Sequence, residues 1–320
     1  MGLNIRELPK SGKITEPGIY NLNINEYHSD ICDAPSFSSG DLVTISRSGE
    51  EYWYTSPYNP DREKPKHRPH LNFGNAAHAR ILDPNSWQND YILRPKAFKS
   101  YRGAEAANWR MVKERDGLIA ITEEEVELVD YLADRIQKDP TAQAIFSDGY
   151  PELSLFCRFE DIWIKARPDM MPIYDLGFET DYKTTADNSL TQVDRDIDKW
   201  GYDQKLANIA WVKRQLKDDF PDIPPVSECA FSLIFQKSKR PAGITCVDIF
   251  PEDIIDLTGI NLKAAKTAAA CMRGTEEWSG YTDVIHQYRP KPWIVKRRQD
   301  LTDAGHFIGV DDNLNPIGDE

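Results

Sequence analysis

Apolar and polar residues alternate with a period of two near the middle of the chain, from Glu152 to Thr185. Over 175–183 the odd positions hold charged residues and one glycine, whereas the even positions are mostly apolar. Successive side chains of a strand point to opposite faces, so this alternation predicts a strand with one charged face. Two shorter segments of strand composition precede it, at 151–156 and 165–169. We therefore expect three neighbouring strands, each with an acid at one end.

Helical patterns flank these strands. Thr122 followed by Glu125 is a capping box that opens a helix, and Pro140 ends that helix. After the strands, apolar residues recur at steps of four and three over 193–211. This spacing predicts one helix face, with Gly201 as a point where the helix could be interrupted.

The C-terminal half repeats this alternation of strand and helix. Residues 228–235 and 243–250 predict two paired strands, and Pro251 opens a final helix. The order is therefore helix, three strands, helix, two strands and helix. We predict an α/β fold in which helices flank a central mixed sheet.

Three segments show little periodicity. The first 70 residues are rich in Ser, Pro and Tyr, and we expect an irregular extension that wraps the core. Residues 87–117 are irregular and locally basic, which makes them a candidate DNA-facing segment or a solvated loop. Residues 296–320 indicate a tail or an oligomer contact. We divide the chain into an N-terminal wrapping region 1–120 with the helix of His78, a core 121–293 and a tail 294–320, within one compact domain.

Composition narrows the function classes. The 320 residues include 39 Lys and Arg against 52 Asp and Glu, which gives a net charge of −13. Such a surface repels polyanions, so any nucleic-acid site must concentrate basic residues locally.

The five scattered cysteines suit a reducing compartment rather than a zinc ribbon or a disulfide scaffold. We find no signal core or membrane-length apolar run, and no phosphate loop or nucleophile elbow. We expect a cytoplasmic protein without a membrane partner.

The acids on the predicted strands have a chemical interpretation. Glu152, Asp169 and Asp181 offer the oxygen ligands that Mg²⁺ prefers. Lys183 shares a strand face with Asp181, where it could orient an attacking water or offset charge on a phosphate. These groups suggest phosphodiester hydrolysis. The competing interpretation is a solvated alternation of charges on an exposed strand face.

The order of Glu152, Pro168-Asp169 and Asp181-x-Lys183 resembles the PD-(D/E)XK nuclease superfamily. More specifically, the chain is similar to its RecE-type branch, the phage and prophage exonucleases related to exonuclease VIII. The segments that carry this resemblance are Tyr27-His28, Ser38-Ser39, Arg47-Ser48, 74–82, 165–169, 181–185, 201–204 and Pro292-Trp293. The resemblance implies a restriction-endonuclease-like core.

The resemblance also implies roles for individual residues. The expected ligands of Mg²⁺, for which Mn²⁺ could substitute, are Asp169, Asp181, Glu152 and His78. Lys183 is expected to position or activate water, and Gln204 to complete the catalytic set close to the scissile phosphate. Further expected DNA contacts are Tyr202, Arg167 and Thr184.

The resulting expectation is a Mg²⁺-dependent exodeoxyribonuclease in a bacterial host cytoplasm. It would degrade linear double-stranded DNA processively from 5′ to 3′ and leave 3′ overhangs for phage-type recombination. Relatives of this type are toroidal homo-oligomers that work with a single-strand annealing protein. Two alternatives stay open: an endonuclease of the same fold, and a catalytically silent module that binds DNA ends or a recombination partner.

Overall fold

A computed structural model describes residues 3–62, 70–84, 87–146, 149–172, 178–281, 287 and 289–306. The strands are β1 (Ile5–Arg6), β2 (Gly18–Tyr20), β3 (Ser36–Ser38), β4 (Tyr91–Leu93), β5 (Ile119–Ile121), β6 (Gly149–Pro151), β7 (Ser154–Phe159), β8 (Ile162–Ala166), β9 (Met170–Pro172), β10 (Phe178–Thr185), β11 (Ala230–Lys237) and β12 (Ile244–Ile249). The helices are α1 (Ile24–His28), α2 (Ser39–Arg47), α3 (Gly49–Thr55), α4 (His70–Leu82), α5 (Trp87–Asp90), α6 (Ala104–Arg115), α7 (Glu123–Lys138), α8 (Pro140–Ile145), α9 (Leu190–Trp200), α10 (Tyr202–Gln215), α11 (Pro251–Met272) and α12 (Pro292–Asp303). The chain divides into two units, Met1–Gly280 and Tyr281–Glu320.

Two mixed sheets organise the first unit. One has five strands in the order β1-β2-β7-β8-β3, with parallel and antiparallel neighbours. The other has three strands, in which β10 runs parallel to β11 and β11 antiparallel to β12. Helix α10 packs against β7 and β8 of the first sheet and β10 of the second. The fold is therefore mixed α/β with helices packed on mixed sheets, as the sequence predicted at this coarse level.

The N-terminal region contributes to the core, which corrects the expectation of an irregular wrapping extension. Strands β1, β2 and β3 belong to the five-stranded sheet, and Ile19 and Phe37 are fully buried. Strands of two or three residues are too short for a period of two to be visible in sequence. The prediction failed here because pairing within the sheet, rather than local pattern, defines these strands: β1 pairs with β2, β2 with β7 and β3 with β8.

Several local predictions are confirmed. Thr122 caps α7 through a capping box with Glu125. Helix α7 ends at Lys138, just before the predicted break at Pro140. Gly201 adopts φ 59° and divides the predicted long helix into α9 and α10, because a left-handed residue ends a helix and suits glycine.

Two segments without clear periodicity are nevertheless helical. Residues 87–117 contain α5, β4 and α6 rather than an irregular loop, and α6 is largely polar, so it shows no apolar stripe. Helix α12 covers part of the expected tail, and residues 307–320 lie outside the described residues. Among the described residues, no helix is both long and apolar enough to cross a membrane.

Candidate active site

A short ladder between β6 and β9 brings two acids together. Pro151 pairs with Met170, so Glu152 and Asp169 follow as the next opposed residues. The N–H of Glu152 donates to the carbonyl oxygen of Asp169 at 3.1 Å. Glu152 has φ 52°, a left-handed conformation that is unfavourable for a residue with a side chain. Backbone strain of this kind concentrates at functional sites, which marks Glu152 as a candidate.

His78 of α4 bridges these two acids. Its Nε2 lies 2.8 Å from Oδ1 of Asp169, and its Nδ1 lies 3.2 Å from Oε1 of Glu152. Burial alone would lower the pKa of His78, but the two carboxylates outweigh burial and raise this pKa to about 10. His78 is therefore a cation at neutral pH that holds both acids in place.

Asp169 is also tied to β10. Its Oδ2 accepts a hydrogen bond from the backbone N–H of Tyr182 at 2.5 Å. Burial would raise the pKa of Asp169, but the positive charges of His78 and Lys183 prevail and place it below its ordinary value. An ionised Asp169 is thus held against the segment of β10 that carries Asp181 and Lys183.

Asp181 and Lys183 form an ion pair on β10. Their side chains expose only 13% and 24% of their surface, which rules out a solvated charge alternation. Burial and the negative charge of Asp169 raise the pKa of Asp181. Burial lowers the pKa of Lys183, but the carboxylates of Asp181 and Asp169 outweigh it and raise the pKa above its ordinary value. The site therefore combines the carboxylates of Asp169 and Asp181, which repel each other, with the protonated ammonium group of Lys183.

The donor set suits a hard divalent cation, because carboxylate oxygens are the ligands that Mg²⁺ takes. In the described part of the chain, no three acidic, histidine or cysteine side chains stand in an arrangement that could hold a metal ion. Nitrogen atoms of His78 and Lys183 engage the carboxylates of Asp169 and Asp181. A bound cation would have to replace part of these ion pairs.

Lys183 and a second lysine lie against the same aromatic ring. The ring centroid of Tyr202 is 5.3 Å from Nζ of Lys183 and 4.9 Å from Nζ of Lys205. Tyr202 is the first residue of α10, and Lys205 lies on the same helix face three residues later. Lys205 is absent from the sequence-predicted site, although this spacing from Tyr202 could have identified it.

Gln204 makes its contacts between helices. Its Nε2 donates to Oδ1 of Asn261 at 2.9 Å and to Oγ of Ser46 at 3.2 Å, and Nδ2 of Asn261 donates to the carbonyl oxygen of Gln204 at 3.0 Å. These bonds join α10 to α11 and α2. Among the described residues, the hydrogen bonds of the Gln204 side chain go to these helices and not to the site carboxylates.

Two further candidates adjoin the site. Arg167 donates from Nη1 to the carbonyl oxygen of Leu22 at 2.7 Å and from Nη2 to Oε2 of Glu152 at 3.2 Å. Thr184 lies where α4 approaches β10, since a Cβ on Gly74 would be 3.2 Å from its Oγ1. The structure therefore brings Glu152, Asp169, Asp181, Lys183 and His78 together, with Tyr202, Arg167 and Thr184 beside them.

Comparison with known proteins supports the fold class. No family profile and no curated protein matches the chain. A crystal structure described as a "Putative exonuclease" from Eubacterium rectale is similar in fold, with a TM-score of 0.54 and 12% sequence identity. The similarity covers 86% of this chain and 98% of that chain. At this identity the similarity concerns the fold alone.

Proposed function

We propose that this protein is a Mg²⁺-dependent deoxyribonuclease of the PD-(D/E)XK type. The observation that carries the proposal is the convergence of Asp169, Asp181 and Lys183 on adjoining segments. The fold likeness to a protein described as an exonuclease supports the same class. Asp169, Asp181 and Glu152 would hold the cation, and Mn²⁺ would substitute for Mg²⁺. His78 would join them as a ligand only after it loses a proton and one of its two carboxylate contacts. When bound there, such a cation would supply Lewis-acid activation of water and neutralise charge on the phosphate.

The side chains of the chain itself define the surroundings of the reacting phosphate. Lys183 stays an ammonium group, so it can orient the attacking water and offset negative charge that develops on the phosphate. The ring of Tyr202 packs against this ammonium group and limits its position. His78 keeps Glu152 and Asp169 at a fixed separation through its two nitrogen atoms.

We propose more specifically a RecE-type exonuclease. It would start at ends of linear double-stranded DNA and proceed from 5′ to 3′, leaving 3′ overhangs. In this hypothesis the protein forms a toroidal homo-oligomer and works with a single-strand annealing protein. Its support is the order of the motifs along the chain together with the fold likeness. Because the net charge is −13, DNA contacts would have to come from locally basic parts of the surface.

The test is nucleotide release from end-labelled linear duplex and from closed circular duplex, each with Mg²⁺ and with EDTA. We expect acid-soluble nucleotides only from the linear substrate with Mg²⁺, and first from the 5′ label. Cleavage of the closed circle would identify an endonuclease instead. Binding to DNA ends with no release in any condition would favour a catalytically silent module.

A further inference from the structure

Lys205 is a partly buried cation beside the proposed catalytic acids. Its Nζ lies 4.9 Å from the ring centroid of Tyr202, and Lys183 contacts the same ring. Lys183 is paired with Asp181. Within the described ranges, by contrast, the Lys205 ammonium has its ring contact but no hydrogen bond or ion pair. Of the two ammonium groups at the site, Lys183 therefore has a carboxylate in direct contact and Lys205 does not.

The surroundings of Lys205 make this cation unfavourable. Burial and the positive charge of Lys183 lower its pKa to about 8, and Arg47 acts in the same direction. The negative charge of Asp181 opposes these effects. A partly buried cation without a counterion costs stability, and proteins keep such groups mainly where function requires them.

We infer that Lys205 binds a phosphate group of the DNA substrate, beside the phosphate on which Asp169 and Asp181 act. This inference rests on the proposed function. A phosphate oxygen would supply the counterion that the protein does not, and an ammonium group with three N–H donors suits a phosphate as a compact point charge. The phosphate could be an internal phosphodiester or a terminal 5′-phosphate, which share this chemistry.

Two simpler roles explain Lys205 less well. It is not needed to neutralise Asp181, because Lys183 already pairs with that carboxylate. Its aliphatic stem could serve to cover the ring of Tyr202, as lysine stems often cover apolar surface. Methionine retains such a stem and removes the charge, so Lys205→Met separates packing from phosphate binding.

The experiment measures binding of linear duplex DNA in EDTA, so that hydrolysis does not interfere, at salt concentrations between about 50 and 200 mM. We expect Lys205→Met to weaken binding about tenfold at the lowest salt concentration. We also expect the slope of log affinity against log salt to fall by about 1, since one phosphate contact is lost. Lys205→Arg should retain most of the affinity and the full slope.

Lys199→Met is the matched control. Lys199 is exposed, and its Nζ also stacks on an aromatic ring, 4.6 Å from the ring centroid of Trp200. This variant changes the net charge equally and should leave the slope unchanged. Melting temperatures of all variants establish that they are folded, and Lys205→Gln replaces the methionine variant if that variant does not fold.

Duplexes with 5′-phosphate and 5′-hydroxyl ends distinguish the two sources of phosphate. If Lys205→Met loses affinity only for the 5′-phosphorylated duplex, Lys205 binds the terminal phosphate. If the variant loses affinity equally for both duplexes, Lys205 binds an internal phosphodiester. An unchanged slope in Lys205→Met would overturn the inference. If the wild-type chain binds DNA through Lys205 but never hydrolyses it, only the proposed function fails. If it hydrolyses DNA and Lys205→Met keeps the wild-type slope, only this inference fails.

Discussion

Nε2 of His78 lies 2.8 Å from Oδ1 of Asp169, although the two residues come from a helix and a strand connection far apart in sequence. Nδ1 of the same ring contacts Glu152 at 3.2 Å. One imidazole thus sets the separation of two acids at the end of the β6–β9 ladder. This matters because a cation site needs its oxygen atoms at fixed positions.

Replacing His78 should therefore impair the use of the cation. We expect His78→Ala to raise the Mg²⁺ concentration for half-maximal DNA hydrolysis by about 10- to 100-fold, because groups that orient metal ligands contribute about that much to metal affinity. Rates measured against Mg²⁺ concentration test this. Arg80→Ala on the same helix is the control, since Arg80 pairs with Asp130 at 2.7 Å. An unchanged Mg²⁺ requirement in His78→Ala would remove His78 from the site.

The central prediction concerns Asp181 and Lys183. We expect Asp181→Asn and Lys183→Met each to lower the rate of DNA hydrolysis by at least about 100-fold, the usual effect of removing one charge-stabilising group at a reacting centre. Neither change should unfold the protein, because both retain the shape of the side chain. Rates at saturating Mg²⁺ and melting temperatures provide the two measurements.

The controls for this pair are Asp194→Asn and Lys199→Met, which make the same charge changes at exposed positions of α9. They should keep the wild-type rate. If both Asp181→Asn and Lys183→Met stay active while folded, the nuclease assignment is wrong.

The strand that carries Asp181 and Lys183 could be predicted from the sequence alone. Its period of two is a local property, and pairing with β11 over eight residues preserves it. The capping box of Thr122 is likewise local, and the structure contains it. These local patterns succeeded because the strand is long and because a specific side chain marks the start of the helix.

The assembly of the site depends on packing between distant elements, which no local pattern encodes. The sequence analysis predicted a helix around His78 but not that His78 would reach Glu152 and Asp169, which only the resemblance suggested. The stripe over α9 and α10 appeared continuous in sequence, but Gly201 ends one helix and begins the next. Tyr202 and Lys205 therefore face Lys183, while Gln204 contacts other helices.

The contacts of Gln204 lead to a prediction about stability. Gln204 and Asn261 are both buried, and Nε2 of Gln204 donates to Oδ1 of Asn261 while Nδ2 of Asn261 donates to the backbone carbonyl oxygen of Gln204. Gln204→Ala therefore leaves the buried Oδ1 of Asn261 without this donor, and Asn261→Ala removes one of the two acceptors of Nε2 of Gln204, so that Oγ of Ser46 remains. We expect Gln204→Ala and Asn261→Ala each to lower the free energy of unfolding by about 1–3 kcal/mol. Urea unfolding of both variants and of the double variant should show a loss smaller than the sum.

Measuring the activity of the Gln204 variant separates a structural role of Gln204 from a catalytic one. Hydrolysis rates of Gln204→Ala, measured well below its melting temperature, should stay within about threefold of the wild type, because its side chain contacts Asn261 and Ser46 rather than the acids. A loss similar to that of Lys183→Met, without a loss of stability, would contradict this and support the role that the resemblance implies.

Asp33 supports a prediction about pH. Its Oδ1 accepts a hydrogen bond from Nε1 of the buried Trp163 at 2.8 Å, and Nη2 of Arg158 lies 2.6 Å away. The hydrogen bond from Trp163, aided by Arg158 and opposed by slight burial, lowers the pKa of Asp33 below its ordinary 3.8. A carboxyl with a lowered folded-state pKa stabilises the fold above pH 3.8, and this contribution disappears as the pH falls through the folded-state pKa.

Asp33→Asn removes the charge and keeps an oxygen that can accept from Trp163. We expect the variant to be less stable than the wild type by up to about 1 kcal/mol at pH 7, a modest value because solvent screens a pair whose side chains are 35% and 36% exposed. The difference should shrink below pH 3.8 and approach zero once Asp33 is protonated in the folded state. Urea unfolding of both proteins across this pH range measures the difference, with Asp194→Asn as the control. A difference that is independent of pH would show that the charge of Asp33 contributes nothing to stability.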